Sequence, residues 1–156
     1  MRTHAMKAEI GAVFGLNSGW EHALWFAIAG EPREETIGFT RENWWKPVGR
    51  EALMLRDKAG IIDISNLAKY EVRGPGAEAS LDGLFANCMP KEIGRFCLTP
   101  LIEQRGGIAD DFTMTRLDAE DLFIVGSGMA ERFHQRFFKA LPLPEGKVFH
   151  SSTTAL

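Results

Sequence analysis

Two adjacent acids, Asp110 and Asp111, follow a glycine pair, Gly106-Gly107, and precede an apolar stretch. A carboxylate can accept or hold a proton during a reaction, so an acid pair at the start of a strand is a candidate for general acid–base chemistry. Because successive residues of a strand face opposite ways, one carboxylate would face solvent and the other a pocket. Taken alone, the pair is more simply explained as a solvated turn that carries acids.

A second candidate is the turn Gly126-Ser127-Gly128, which follows an apolar run and opens a helical pattern. Two glycines at this spacing resemble part of a dinucleotide-binding fingerprint, but Glu131 stands where that fingerprint needs a small residue. A carboxylate there would repel a pyrophosphate at the helix N-terminus. The sequence therefore favours a tight strand-to-helix turn, whose free N–H groups could still contact a ligand.

Metal and thiol chemistry have little support. The four histidines are scattered, without an i,i+4 pair, and the chain has no CxxC motif, so we predict no metal site. Cys88 and Cys97 are expected to be buried, reduced and apolar in character, which is typical of a cytoplasmic or mitochondrial-matrix-like compartment.

Composition bounds the partners of the chain. It has 156 residues, 45% of them apolar, and a formal net charge of −3. The absence of a basic stripe argues against nucleic acid, and the absence of about 20 continuous apolar residues argues against a membrane span. We expect a chain that contacts neither.

The elements that must position these residues differ along the chain. Residues 1–46 hold all four tryptophans without a clean periodicity, which indicates an aromatic-rich arm with short strands. The aromatic side chains of this arm could fill a core or form a surface that docks on another domain, and the sequence favours neither role. From Pro47 onward the apolar spacing predicts helices over 48–59, 75–88 and 128–141 and strands over 61–65, 69–73, 95–103, 111–117 and 121–126.

The order of these elements predicts an α+β fold. It is typical of a split βαβ arrangement, a mostly antiparallel sheet with helices on one face. A closing strand is expected near Val148-Phe149.

Several segments together resemble one family. They are Asn43–Glu51 (NWWKPVGRE), the strand that ends before Gly74-Pro75-Gly76-Ala77, Leu98-Thr99-Pro100, and Gly106-Gly107 with Asp111 four residues later. This order is similar to that of the dimethylglycine/sarcosine dehydrogenase group, whose C-terminal half resembles the glycine-cleavage T-protein, an aminomethyltransferase. The resemblance runs from about Gly11 to about Leu141.

The resemblance implies a division of labour. In the family an FAD domain oxidises an N-methyl amine, and a folate-binding domain transfers the resulting one-carbon unit to tetrahydrofolate. Residues 1–46 would then resemble the end of the FAD-dependent oxidoreductase region. Residues 47–156 would be the N-terminal part of the folate-binding domain, truncated and completed by a partner or a C-terminal half.

The resemblance also implies site residues. Asp111 falls on the catalytic acid of the family, which would lie in a pocket, with Asp110 in solvent. Leu67, Leu98, Gly126 and Ser127 fall on cofactor-binding positions. The glutamate and arginine that grip folate in the family fall beyond residue 156, so neither is assigned.

Two other functions compete with this hypothesis. The chain could be a non-catalytic interaction subunit or fragment whose aromatic arm docks on an FAD-dependent amine oxidoreductase. It could also be similar to the folate-binding iron–sulfur repair protein, but the Lys-Gly-Cys-Tyr motif of that protein is absent from the sequence.

Overall fold

A computed structural model describes residues 2–17, 19–142 and 147–151. The chain divides into two compact units, Met1–Asp63 and Ile64–Ala155. We call them the first and second unit and describe each by itself. This division lies later in the chain than the functional boundary predicted after residue 46, which stays a prediction.

The first unit contains a helix, a hairpin and a second helix. Its elements are α1 (Arg2–Glu9), β1 (Ala12–Asn17), β2 (Trp20–Phe26) and α2 (Trp45–Asp57), and β1 pairs with β2 in antiparallel fashion. Val13, Trp25 and Ala27 form a small buried cluster against which Trp44 packs. Core filling is thus the role of two of the tryptophans.

Polar contacts join the end of the hairpin to α2. The Arg50 guanidinium donates to the Phe26 carbonyl oxygen at 3.2 Å and pairs with the Glu31 carboxylate at 2.9 Å. The Phe26 backbone N–H donates to Glu51 at 2.8 Å. Because Pro47 lies in the first turn of α2, its missing N–H interrupts no helical hydrogen bond.

The second unit is built on a five-stranded antiparallel sheet, as the sequence predicts. Its strands lie in the order β4-β5-β6-β3-β7, and every neighbouring pair is antiparallel. The strands are β3 (Ala68–Arg73), β4 (Phe96–Ile102), β5 (Ile108–Asp118), β6 (Asp121–Gly126) and β7 (Lys147–Ser151). The closing strand expected near Val148 is therefore β7, and the α+β class is confirmed.

Helices cover one face of this sheet. They are α3 (Ala77–Asp82) and α4 (Glu131–Lys139), and a 3-10 turn, Gly128–Ala130, precedes α4. Leu81 of α3 and Phe138 of α4 share one buried cluster with alternate strand residues, among them Tyr70, Phe112, Met114, Leu122 and Ile124. We call this the covered face. No helix in the described part of the second unit packs on the opposite face, which we call the open face; there Phe96 is 72% exposed and Leu98 61%.

Two predicted elements are wrong. Residues 61–65 form no strand, and none of the described strands pairs with them; Ile61 and Ile62 are exposed. The helix predicted over 75–88 is limited to Ala77–Asp82, so Pro75 is not its first residue. Gly76, with φ of 84°, precedes that helix, and Phe85 beyond it bridges to Leu101 of β4.

Strand β6 carries the centre of the covered face, and its packing is testable. Leu122 is fully buried, whereas Leu117 on β5 is half exposed. We expect Leu122→Ala to lower the free energy of unfolding by about 2–5 kcal/mol, since it removes buried apolar area and leaves a cavity. Leu117→Ala, the matched control, should cost less than about 1 kcal/mol. Urea unfolding followed by circular dichroism measures both; equal losses would contradict this description of the core.

Candidate functional site

The alternation of β5 sorts the two acids onto opposite faces of the sheet. Phe112 and Met114 are buried on the covered face, and Asp110, two residues before Phe112, lies on the same face of the strand. Asp111 and Thr113 alternate with these residues along the strand, and Asp111 is exposed. Since side chains of a strand alternate, Asp111 belongs to the open face.

The strand register places other predicted site residues near Asp111 on that face. Leu98 of β4 pairs with Thr113, and Pro100 pairs with Asp111, so Leu98 is a diagonal neighbour of the acid. On the other side of β5, Thr113 pairs with Val125. The ladder between these strands ends at that pair; extended by two residues, its register would bring Ser127, whose backbone is extended, opposite Asp111.

Leu67 completes this row. Ala68 pairs with Gly126, so the same continuation sets Leu67 opposite Ser127. Asp111 and Leu67 are then separated by about 10 Å, two interstrand spacings. The loop before β3 is held by Lys69, whose ammonium donates to the carbonyl oxygens of Ile64 at 3.0 Å and Leu67 at 2.7 Å.

The glycine turn is tightly packed. A Cβ on Gly128 would lie 1.9 Å from the carbonyl oxygen of Asn66, so the turn contacts the backbone just before Leu67. Gly126 has the opposite orientation to Leu98 and Asp111: a Cβ there would meet the Phe112 ring at 2.4 Å on the covered face. Any contact of Gly126 with a ligand on the open face would therefore come from its backbone.

The expected environments of the two acids are wrong. The Asp110 side chain, expected in solvent, is only 15% exposed, and its Oδ2 lies 2.5 Å from His134 Nε2. Its Oδ1 accepts the backbone N–H of Asp111 at 2.8 Å. Asp111, expected in a pocket, is exposed rather than enclosed by described residues. The sequence could not show this because α4, which buries Asp110, is far away along the chain.

His134 and Tyr70 are the residues that sequence reasoning missed. His134 is fully buried, and its Nδ1 lies 3.0 Å from the Tyr70 hydroxyl. Burial raises the pKa of Tyr70, and the negative charges of Glu131 and Asp110 raise it further, so the phenol stays protonated and can donate. These partners stand 64 residues apart, and no local motif joins them.

Other chemistry-bearing groups lie elsewhere. Cys97 packs against the core and burial raises its pKa, whereas Cys88, expected to be buried, is exposed. Among the residues the structure describes, no three His, Cys, Asp or Glu side chains converge as metal ligands, and no helix has the length and apolarity that crossing a membrane requires. A hollow of about 710 Å³ lies within the first unit between β2, α2 and Ile61-Ile62, and none of the predicted site residues lines it.

Comparison with known proteins identifies relatives. The sequence model of the GCVT N-terminal domain family matches residues 3–155. "Dimethylglycine dehydrogenase, mitochondrial" of Mus musculus is 34% identical over 115 residues, which cover 73% of this chain and 13% of the mouse protein. "4-methylaminobutanoate oxidase (formaldehyde-forming)" of Paenarthrobacter nicotinovorans is 28% identical over 98% of this chain and 19% of its own length.

Solved structures agree on the fold. The glycine cleavage system aminomethyltransferase T of Bartonella henselae superposes with a TM-score of 0.70 at 21% identity. The match covers 97% of this chain and 37% of that protein. At this identity the likeness concerns the fold alone. The chain thus spans a minor part of the proteins it matches.

The packing at Gly126 generates a prediction. Gly126→Ala places a methyl group against Phe112, and the cost of overpacking is about 1–3 kcal/mol of unfolding free energy. Gly83→Ala is the matched control, because the nearest atom to its new Cβ would be 3.7 Å away. Thermal unfolding of the two variants measures the difference. A Gly126→Ala protein as stable as the Gly83→Ala protein would show that β6 and Phe112 do not pack this closely.

Proposed function

Because this chain belongs to the GCVT N-terminal domain family, we propose that it forms part of a tetrahydrofolate-dependent one-carbon transfer site, with Asp111 as the reactive acid. The activity of the whole protein is part of the proposal, since the chain corresponds to 13% of the mouse dehydrogenase. The names of the relatives support it: they include aminomethyltransferases and enzymes that act on N-methyl amines.

The observation that carries the proposal is the position of the Asp111 carboxylate. It is exposed on the open face, in a row that runs from Pro100 toward Leu67, with Leu98 diagonal to it. Apolar side chains beside a few polar groups are typical of small-molecule sites. Leu98 and Leu67, on the two sides of Asp111 along the open face, would offer apolar contacts to a flat ring such as a pterin, and the Ser127 turn would offer backbone polar groups.

The chemistry of Asp111 follows from its charge. Tetrahydrofolate, when bound, supplies an amine nitrogen that attacks an electrophilic one-carbon unit. The Asp111 carboxylate would accept the proton that such a nitrogen gives up on taking the one-carbon unit, while the amine that carried the unit leaves with the electron pair of its broken C–N bond. Before the attack, the same carboxylate stabilises the positive charge of an iminium carbon.

The proposal implies partners. An FAD-bearing domain or subunit would supply the oxidised amine, and further protein would enclose the open face. Residues 47–156 would carry the folate side of this arrangement, and residues 1–46 would connect it to the FAD side. Enclosure matters because a carboxylate acts more strongly on a developing charge when water is excluded.

One observation favours the second candidate, a non-catalytic docking role for the first unit. Ile37 and Phe39 are almost fully exposed, and Trp45 carries the Arg41 guanidinium 4.2 Å from its ring centroid. Exposed apolar side chains grouped in one segment are typical of interaction surfaces. Association with an FAD-dependent amine oxidoreductase, combined with no tetrahydrofolate binding, would select this function over transfer.

Asp111→Asn tests the transfer function. It keeps the size of the side chain and removes the proton acceptor, so we expect turnover to fall about 10²–10⁴-fold. Tetrahydrofolate binding should change little, because the lost interaction acts mainly in the transition state. Formation of 5,10-methylenetetrahydrofolate by the chain together with its FAD-bearing protein measures turnover, and calorimetry measures binding.

The matched control is Asp118→Asn, an exposed acid at the far end of the same strand. It should leave both quantities unchanged. If folate binds and Asp111→Asn turns over as fast as the wild-type protein, Asp111 does not have this role.

A further inference from the structure

Behind Asp111, three side chains form a hydrogen-bonded network through the core. Tyr70 on β3 contacts His134 on α4 at 3.0 Å, and His134 contacts Asp110 on β5 at 2.5 Å. Tyr70 and His134 are fully buried. We call these residues the Tyr70–His134–Asp110 network. It crosses from one strand through a helix to the strand that carries the candidate acid.

The network ends at the backbone of Asp111. One oxygen of the Asp110 carboxylate faces His134, and the other accepts the Asp111 N–H at 2.8 Å. The carboxylate is thus held at both oxygens. Since the peptide unit between the two acids is planar, fixing the Asp110 side chain and the Asp111 N–H also limits the direction in which the Asp111 side chain leaves the strand.

The carboxylate at one end of the network and the phenol at the other determine which atoms donate and which accept. An ionised carboxylate only accepts, so His134 Nε2 must carry a proton toward Asp110. With a neutral imidazole, Nδ1 then accepts from the Tyr70 hydroxyl. With an imidazolium, Nδ1 donates to the Tyr70 oxygen, whose proton can turn to the Glu131 carbonyl oxygen 3.3 Å away. Both arrangements leave every network atom bonded, as buried polar groups require.

We propose that Tyr70, His134 and Asp110 are positioning residues that hold the Asp111 carboxylate at its place on the open face for one-carbon transfer. This inference rests on the proposed function. It adds to that function a support on the covered face, made by residues that do not touch the substrate. Aromatic packing holds the imidazole itself: the Phe112 ring lies 4.6 Å from it and the Tyr70 ring 5.7 Å.

Magnetic resonance tests the network without any turnover. The proton on His134 Nε2 is expected as a resolved downfield resonance that exchanges slowly with water, because its nitrogen is buried and its acceptor is charged. Asp110→Asn should remove or shift this resonance. Leu122→Val, a packing change in the same core, should leave it in place. The absence of the resonance from the wild-type protein would overturn the proposal.

Kinetics test the positioning role. Tyr70→Phe keeps the ring and removes the hydroxyl, and we expect kcat to fall on the order of 10- to 100-fold with KM for tetrahydrofolate unchanged, since a small misplacement of a reacting group has an effect of this size. In an Asp111→Asn background the same change should alter kcat little, because the group being positioned is gone. Leu122→Val should retain wild-type kcat.

The outcomes separate the two proposals. If the wild-type protein transfers the one-carbon unit but Tyr70→Phe keeps its kcat, or lowers it equally with and without Asp111, the positioning proposal is wrong and the proposed function stands. If the wild-type protein, in complex with its FAD-bearing protein, shows no transfer, the proposed function fails and the positioning role fails with it.

Discussion

The burial of Phe112 and Met114, together with the hydrogen bond between His134 Nε2 and Asp110 Oδ2, fixes which way strand β5 faces. Strand geometry allows only two orientations for an adjacent pair of acids, and a shift of the register by one residue would exchange them. The exchange would put Asp111 against the His134 imidazole in place of Asp110, but it would also move the buried Phe112 and Met114 side chains to the open face. The Asp111 carboxylate therefore belongs to the open face, and the candidate site is built from that fact.

The two faces of the sheet have different roles for the same reason. On the covered face, α3 and α4 bury a continuous apolar cluster, and the burial of apolar area is the dominant favourable contribution to folding. On the open face, Phe96 and Leu98 stay exposed beside a carboxylate. A sheet with one solvated face usually carries polar residues there, so this apolar and acidic surface is suited to contact with something further.

Local patterns predicted much of the fold. Apolar spacing was sufficient for α4 and the sheet strands, because each buries one face and so repeats at the period of its own geometry. It also located α2, although of that helix only Pro47 is buried. It failed at residues 61–65, where an apolar run has no pairing partner, and at α3, where Gly76 and Gly83 limit the helix to six residues. The spacing of apolar residues shows which face of a segment can be buried. Whether that segment pairs with a strand depends on residues elsewhere in the fold.

The candidate site was predictable only in part. Motif resemblance directed attention to Asp111, Leu67, Leu98 and Ser127; the register sets Asp111 and Leu98 on one face, and Leu67 and Ser127 adjoin the paired residues Ala68 and Gly126. It gave the wrong environment for both acids. The Tyr70–His134 contact joins residues 64 positions apart, so neither spacing nor composition could reveal it. Whether the predicted residues bind folate stays a proposal.

The central claim is that the ligand binds to the open face, and a titration of isotope-labelled protein with tetrahydrofolate tests it most directly. Amide resonances would be followed in both units, since such spectra detect weak as well as strong binding. Tetrahydrofolate bound to the open face should shift the resonances of Leu67, Leu98, Asp111 and Ser127, with little change at Leu81 and Phe138 on the covered face. Shifts confined to the first unit or to the covered face, or no shifts at millimolar ligand, would contradict it.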